Sequence, residues 1–328
     1  MSTVFYTVCT LSHLYQAEIL AKTLLAVHPE AEFKVGLVDR LDSGVALGFL
    51  PRDSIFEIGD MGISALGAMS ARYRVSELCF ACKPFVASFL LATRPDVDRL
   101  IYIDSDTFVF GRFESVQAAM AHSDIVLTPH LSAPLQEHVA IERLMLKAGA
   151  FNAGFFALRR SSAAQELLDW LMLRLESECF GWAGDQVWFS LIPSHFSGVH
   201  VDRNPGLNAA AWNAAERRMS RDGDVVAINS VPLVFYHYSG FDPTVPDRSS
   251  NVREFAVMRA ERPDLWYALD PICAALRGSS LLHLRGRPSQ FGRPAAAPAR
   301  LPGWVRLVRQ AVRRTGFDIV RSGHAEKC

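Results

Sequence analysis

Two carboxylates one residue apart, Asp104 and Asp106, follow directly on Leu100-Ile-Tyr-Ile103, an apolar, β-branched and aromatic run that reads as a buried strand. Charge at the end of a buried strand is costly unless something compensates it. In open α/β sheets the carboxyl edge of the strands is also where ligands bind. An Asp-x-Asp spacing gathers four hard oxygens near one point, a donor set suited to Mg²⁺ or Mn²⁺, and such a metal suits a diphosphate. A strand that ends in Asp-x-Asp fits an ordinary surface turn as well, so the other polar clusters of the chain decide.

Four later pieces can join that turn. In Phe151-Asn152-Ala-Gly154-Phe-Phe156 an amide and a bare backbone stand at the head of a buried strand, where both can touch a polar ligand. Gly181-Trp-Ala-Gly184-Asp185-Gln186 sets an acid and an amide at the start of a helix, where the plainer role for Asp185 is an N-cap. Gly206-Leu-Asn208-Ala-Ala-Ala-Trp212-Asn213 places amides beside an aromatic ring. Phe235-Tyr-His237-Tyr-Ser-Gly240-Phe-Asp242-Pro243 is a strand that ends in His and a Gly turn. A neutral imidazole is a suitable ligand for Mn²⁺ beside carboxylates, although a single His at a strand end is more often structural.

The elements that must position these groups follow from periodicity. Thr3 to Cys9 reads as a strand, and His13 to Leu25 as a helix with Thr10 or Ser12 as its cap and Pro29 beyond its end. Phe33 to Asp39 and Ser54 to Ile58 are further strands, so the chain opens β-α-β, the start of a parallel sheet. Residues 75–93 read as a helix ahead of the Asp104 strand, kinked or started by Pro84. Asp124 to Thr128, Phe151 to Leu158 and Pro232 to Tyr238 are strands; Ala163 to Glu176 and Trp182 to Leu191 are helical. Cys79 and Cys82 form a lone Cys-x-x-Cys pair that reads as two helical, partly buried thiols, since no second pair completes a zinc site.

Half of the 328 residues are hydrophobic, enough for one large domain or two smaller ones. The net charge is zero but uneven: residues 271–328 hold eleven basic and two acidic residues, net +9, against −9 for the rest. Gly286, Pro288, Gly292, Pro294, Pro298, Pro302 and Gly303 mark a linker. Beyond it Trp304, Val305, Val308, Ala311 and Val312 share one helical face, with arginines largely opposite. Such a basic amphipathic helix suits an anionic membrane surface, or docking on the acidic body. The amino terminus lacks the basic region and apolar core of a signal peptide, and no apolar run is long enough to span a bilayer, so the expected location is cytoplasmic.

The order β-α-β, Asp-x-Asp, Phe-Asn-x-Gly, Gly-Asp-Gln, Trp-Asn, His-x-x-Gly resembles the GT-A glycosyltransferases of the family 8 type, and their bacterial relatives that end in His-[Phe/Tyr]-Ser-Gly-Phe-Asp-Pro. The resemblance runs over residues 3–245. It implies an α/β fold, a Rossmann-like nucleotide-diphospho-sugar transferase with a mixed sheet flanked by helices. The expected organisation is a GT-A domain over residues 1–270, a Pro/Gly/Ala-rich linker over 271–303 and a basic tail helix over 304–328.

The resemblance implies roles residue by residue. Asp104, Asp106 and His237 are the expected metal ligands, for Mn²⁺ or Mg²⁺, with Ser105 and the two acids also meeting ribose and diphosphate. Asn152 and Gly154 belong to the sugar-pocket strand, and Asp185 and Gln186 sit beside the donor sugar and its anomeric carbon. Thr7 and Thr10 stand where relatives hold the nucleobase, Lys83 matches a basic position on the helix before Asp-x-Asp, and Gly240 belongs to the His-x-x-Gly turn. Two departures matter. Asp242-Pro243 stands where a diphosphate-binding Lys is expected, which leaves Lys83 or Arg248 as candidates, and strand 1 lacks the acid that many relatives direct at uracil.

The implied activity is metal-dependent transfer of a sugar from a nucleotide-sugar donor, UDP-linked by family habit, to a glycan or lipid-linked acceptor of a bacterial surface polysaccharide, with retention of configuration. The enzyme is expected on the inner face of the membrane through its tail, with no nucleic-acid partner. Two competing readings remain at this stage. Tyr-Ile-Asp104-Ser-Asp106-Thr also fits the opening of haloacid-dehalogenase-like Mg²⁺ phosphatases, and a non-catalytic sugar-binding scaffold needs no intact ligand set.

Overall fold

A computed structural model describes residues 2–294. The chain runs β1 (Ser2–Cys9), α1 (Leu14–Val27), β2 (Glu32–Leu37), β3 (Ile55–Glu57), α2 (Leu66–Arg72), α3 (Val75–Thr93), β4 (Val97–Ile103), β5 (Thr107–Val109) and α4 (Glu114–Ala119). It continues through β6 (Ile125–Pro129), α5 (Val139–Ala148), β7 (Phe151–Arg159), α6 (Ser162–Leu175), α7 (Gln186–Phe189), α8 (Ile192–His195) and β8 (Val199–Val201). The last elements are β9 (Ala209–Ala210), β10 (Met219–Asp222), β11 (Val225–Ile228), β12 (Val231–Pro232), β13 (Phe235–His237) and α9 (Trp266–Gly278).

Seven strands form the main sheet in the order β3-β2-β1-β4-β7-β6-β8. The neighbours pair in parallel except β7, which runs antiparallel to both β4 and β6. The sheet is therefore mixed, as expected. Its central strands are buried on both faces, which is why β1, β4 and β7 read as continuous apolar runs rather than alternating ones. One face is covered by α1 and α9, the other by α3 and α6. A small second sheet, β5-β13-β9, hangs below the Asp104–Asp106 turn, and β10-β11-β12 form a meander.

Several local expectations change. The helix after β1 has no side-chain cap: Thr10 Oγ1 meets His13 Nδ1 at 3.0 Å, and Ser12 Oγ accepts from Gly286 N at 2.8 Å. Pro84 lies inside an unbroken α3 rather than starting it. That 19-residue helix is, contrary to the sequence reading, long and apolar enough to cross a membrane by length and composition; more than half of its apolar window is buried inside the fold. Trp182–Leu191 is not one helix: only Gln186–Phe189 coils within it.

Residues 271–294 do not behave as a linker. Pro271 sits inside α9, and Ile272, Leu276, Leu281 and Leu284 are buried in the main core. Buried Glu18 of α1 accepts from Ser279 Oγ at 2.5 Å, Ser280 Oγ at 2.8 Å and Phe49 N at 3.2 Å, which pins the chain after α9 to the body. Further on, Gln290 N donates to Asp39 at 2.8 Å and Arg293 N to the Tyr73 carbonyl at 2.7 Å. The rest of the expected linker and the basic tail helix lie outside the described residues.

Candidate active site

A cavity of about 350 Å³ opens at the carboxyl ends of β1 and β4, where Asp104, Ser105 and Asp106 emerge. Asp104 is set by its backbone, whose N–H donates to the Gly154 carbonyl at 2.8 Å across the β4–β7 pair. Two side chains engage its Oδ1: the Tyr102 hydroxyl by a short hydrogen bond, and Lys83 Nζ at 3.2 Å. Oδ2 is left facing His237 Nε2, 3.7 Å away. Asp106 Oδ1 stands 3.1 Å from the same Nε2.

His237 reaches this point because β13 pairs antiparallel with β5, the strand that starts one residue after Asp106; Tyr238 N donates to the Asp106 carbonyl at 2.9 Å. Asp104, Asp106 and His237 each offer one ligand atom, all within 4.8 Å of one another. Two carboxylates and an imidazole suit Mn²⁺ or Mg²⁺, whose neighbouring ligands in an octahedral shell stand about 3 Å apart for ~2.1 Å bonds. Gly154 leaves the space in which they converge: a Cβ there would stand 2.5 Å from His237 Cε1 and 2.6 Å from Asp104 Oδ2. Burial pushes the Asp106 carboxyl up, but adjacent His237 outweighs it and the group ends below its ordinary range. Burial pushes His237 down, and Asp106 and then Asp104 reverse this and raise it.

The opposite wall carries charge. Lys83, from the middle of α3, is 4% exposed and lies 2.7 Å from Asp185 Oδ2 as well as 3.2 Å from Asp104. It donates to the Ala153 carbonyl at 3.0 Å and sits over the Tyr102 ring. Burial would strip its proton, and the two carboxylates hold it well above the ordinary lysine range. Asp185 occupies the N-cap position of α7, yet its side chain makes no cap bond and pairs with Lys83 instead. The capping alternative therefore falls.

A third group of side chains is neutral. Gly154 N donates to Asn152 Oδ1 at 3.1 Å. Asn152 Nδ2 lies 3.1 Å from His130 Nε2 and 3.3 Å from Gln186 Oε1. His130 Nδ1 donates to the Gly149 carbonyl at 2.8 Å, and burial drives its imidazole down to about 4. Asn208 Nδ2 donates to Asn152 Oδ1 at 3.1 Å and to Thr128 Oγ1 at 3.2 Å. Trp212 stands edge-on to His237, ring centroids 5.0 Å apart, while Asn213 ties the turn together through the Ala210 N–H and the carbonyls of Asn208 and His130.

Thr10, Lys83, Asp104, Ser105, Asp106, Asn152, Gly154, Asp185, Gln186 and His237 all line the cavity. Thr7 does not: it is fully buried inside β1. Gly240 and Arg248 also stand away from the cavity lining; Gly240 takes a φ of 76° in the turn after β13. Cys79 does line it, a thiol pushed up to about 12 by burial and not in a disulfide. His13, Gln16, Tyr102, His130 and Trp182 line the cavity and were not singled out from sequence. Trp182 stands within the motif of residues 181–186 and Tyr102 two residues before Asp104; His13, Gln16 and His130 belong to no spaced polar motif and are marked only by following β1 or β6.

No family model matches the chain. The uncharacterized protein YfnF of Bacillus subtilis (strain 168) is 26% identical over 255 residues, which span 74% of this chain and 82% of YfnF. Among solved structures, the galactosyltransferase LgtC, crystallised with donor and acceptor sugar analogs, aligns over 84% of this chain and 96% of its own at 14% identity and a TM-score of 0.51. The bifunctional glycosyltransferase WbbM, in its apo form, aligns over 86% of this chain and 51% of its own at 11% identity and the same TM-score. The chain thus has the GT-A fold, a mixed sheet flanked by helices. The fold speaks against the dehalogenase-like phosphatase reading, as does the absence, among the described residues that line the cavity, of a second acidic pair beside Asp185.

Proposed function

We propose that the protein is a metal-dependent glycosyltransferase of the family 8 type. It moves a sugar from a UDP-linked or related nucleotide-sugar donor to a glycan or lipid-linked acceptor in bacterial surface-polysaccharide synthesis. The observation that carries this reading is the convergence of Asp104, Asp106 and His237 at one end of a cavity whose other walls present Lys83, Asp185, Gln186 and Asn152, in a GT-A fold. A Mn²⁺ or Mg²⁺ held by the three ligands supplies the positive charge that a departing nucleoside diphosphate requires.

The remaining steps belong to the chain's own side chains. Lys83 lies against both Asp104 and Asp185 and is the cation that touches a proposed metal ligand, so we assign it the diphosphate end in place of the missing lysine. Thr10 and Ser105, both on the cavity lining, are assigned to the nucleoside. Asn152, whose orientation Gly154 N–H fixes, presents Gln186 to the sugar. Asp185 and Gln186 stabilise the oxocarbenium-like charge of the transferred sugar, a task for preorganised dipoles. Because Asp185 is already paired, it is a poor free nucleophile, which favours retention without a covalent enzyme intermediate. The basic tail would hold the enzyme at the inner leaflet, where lipid-linked acceptors sit.

The test is hydrolysis across a panel of nucleotide sugars, with and without Mn²⁺, by the full chain and by Asp106→Ala. The expected outcome is release of one nucleoside diphosphate that needs metal and disappears in Asp106→Ala. Absence of turnover, and of any thermal shift with nucleotide and metal together, would overturn the proposal.

A further inference from the structure

We propose that Asn208 is a positioning residue: it accepts a hydrogen bond from His237 Nδ1–H, and so leaves Nε2 as the ring nitrogen available to a metal beside Asp104 and Asp106. The inference rests on the metal-binding reading of those three residues.

The direction of each hydrogen bond follows from two backbone anchors. Gly154 N–H can only donate, so the Asn152 atom it meets at 3.1 Å is an oxygen. The Asn152 amide nitrogen therefore faces His130 Nε2, and that nitrogen must accept. It can, because the other ring nitrogen of His130 donates to the Gly149 carbonyl and burial keeps the ring neutral. Asn152 Oδ1 also receives Asn208 Nδ2 at 3.1 Å. With the second amide hydrogen on Thr128 Oγ1 at 3.2 Å, the Asn208 nitrogen is fully used and its oxygen is the atom turned to His237 Nδ1, 3.3 Å away. An amide oxygen has no proton to give. His237 Nδ1 must carry the hydrogen, and Nε2 is the ring nitrogen turned to the carboxylates.

Two features separate this from ordinary core satisfaction. Asn208 has a left-handed backbone, φ 52°, with its side chain fully buried. Glycine meets that backbone demand alone, so the amide is present for its three contacts. The chain of bonds is also unidirectional over its whole length, from His237 through Asn208, Asn152 and His130 to the Gly149 carbonyl. Reversing the Asn208 amide would set N–H against His237 Nδ1 and oxygen against oxygen at Asn152. Outer partners of this kind orient metal-ligating histidines and fix their tautomer.

Asn208→Gly keeps the backbone and removes the amide, whereas Asn208→Asp keeps an acceptor for Nδ1–H. The readouts are Mn²⁺ affinity, from the electron paramagnetic resonance of the free ion, and the exchange-protected proton on His237 Nδ1. That proton is read from long-range ¹⁵N–¹H correlation spectra assigned with His237→Gln. We expect a protected Nδ1–H in the wild type, loss of that protection and 10- to 100-fold weaker Mn²⁺ binding in Asn208→Gly, and the protected proton again in Asn208→Asp. Thr128→Val, which withdraws one acceptor from the Asn208 amide, should give the same change in smaller degree, and it carries the test if Asn208→Gly does not fold. A wild-type Nδ1–H signal and affinity in Asn208→Gly, or a His237 Nδ1 without a proton in the wild type, would overturn the inference. A wild type that binds no Mn²⁺ defeats the metal reading instead, and the spectra alone then decide the role of Asn208.

Discussion

The two polar walls that flank β7 use opposite physics. On one side Lys83 and Asp185, both buried, and part-buried Asp104 form an ionic cluster, with two carboxylates sharing one ammonium. On the other, His237, Asn208, Asn152 and His130 are joined by neutral hydrogen bonds. Coulomb attraction depends little on orientation, so the first wall tolerates rotation of its groups but not a change in their charge balance. Amide and imidazole bonds are directional and individually worth about 1 kcal/mol net, so the second wall depends on which atom donates and which accepts rather than on charge balance. The charged wall sets the field of the site; the neutral wall sets its geometry.

The largest effect should come from unbalancing the charged wall. Lys83→Met leaves buried Asp185 and part-buried Asp104 without their shared ammonium, and breaking a buried pair costs about 3–5 kcal/mol. Urea denaturation at neutral pH should show that loss, and adding Asp185→Asn should recover part of it. Full stability in the single variant would mean that the wall is wetter than its 4% exposure at Lys83 implies.

A smaller effect belongs to the neutral wall and appears with pH. His130 titrates at about 4 in the folded chain against 6.5 for an unburied imidazole. Between those values the unfolded chain binds more protons, so this contribution is complete above about 6.5 and is lost as pH falls toward about 4, by roughly 3 kcal/mol. His130→Gln should flatten that arm of the stability–pH curve, and an unchanged slope would contradict a buried neutral ring.

The smallest effect sharpens the contrast from outside both walls. Arg248→Ala, away from the cavity, should leave Mn²⁺ affinity unchanged and shift stability by no more than about 0.5 kcal/mol. A marked loss of nucleotide binding in this variant would restore Arg248 as the missing diphosphate cation.

Much of the site was legible because its members break apolar runs. Asp104, Asn152, Asp185 and His237 each stand where a buried strand or helix meets polar residues, and a carboxylate or imidazole there needs a reason. Thr7 failed because a hydroxyl within a strand carries no sign of which face it takes. His130 was missed because Thr128-Pro-His130 looks like a plain strand end, although it closes the hydrogen-bond chain. The linker was drawn too early because proline and glycine content masked the helical spacing of Trp266, Leu269, Ile272 and Leu276 around Pro271. Alternation, periodicity and composition describe one segment at a time, whereas these misses were decided by what another segment brought alongside.

The pairing of β13 with β5 has a consequence in time. Asp106 and His237 are 131 positions apart, and the imidazole arrives only when the late strand docks beside the turn that holds the carboxylates. A nascent chain that has not yet emerged past Phe235 carries two acids without their third partner. The three donor atoms therefore meet only after β13 has emerged and docked, while the chain that follows, α9 included, has still to pack on the core.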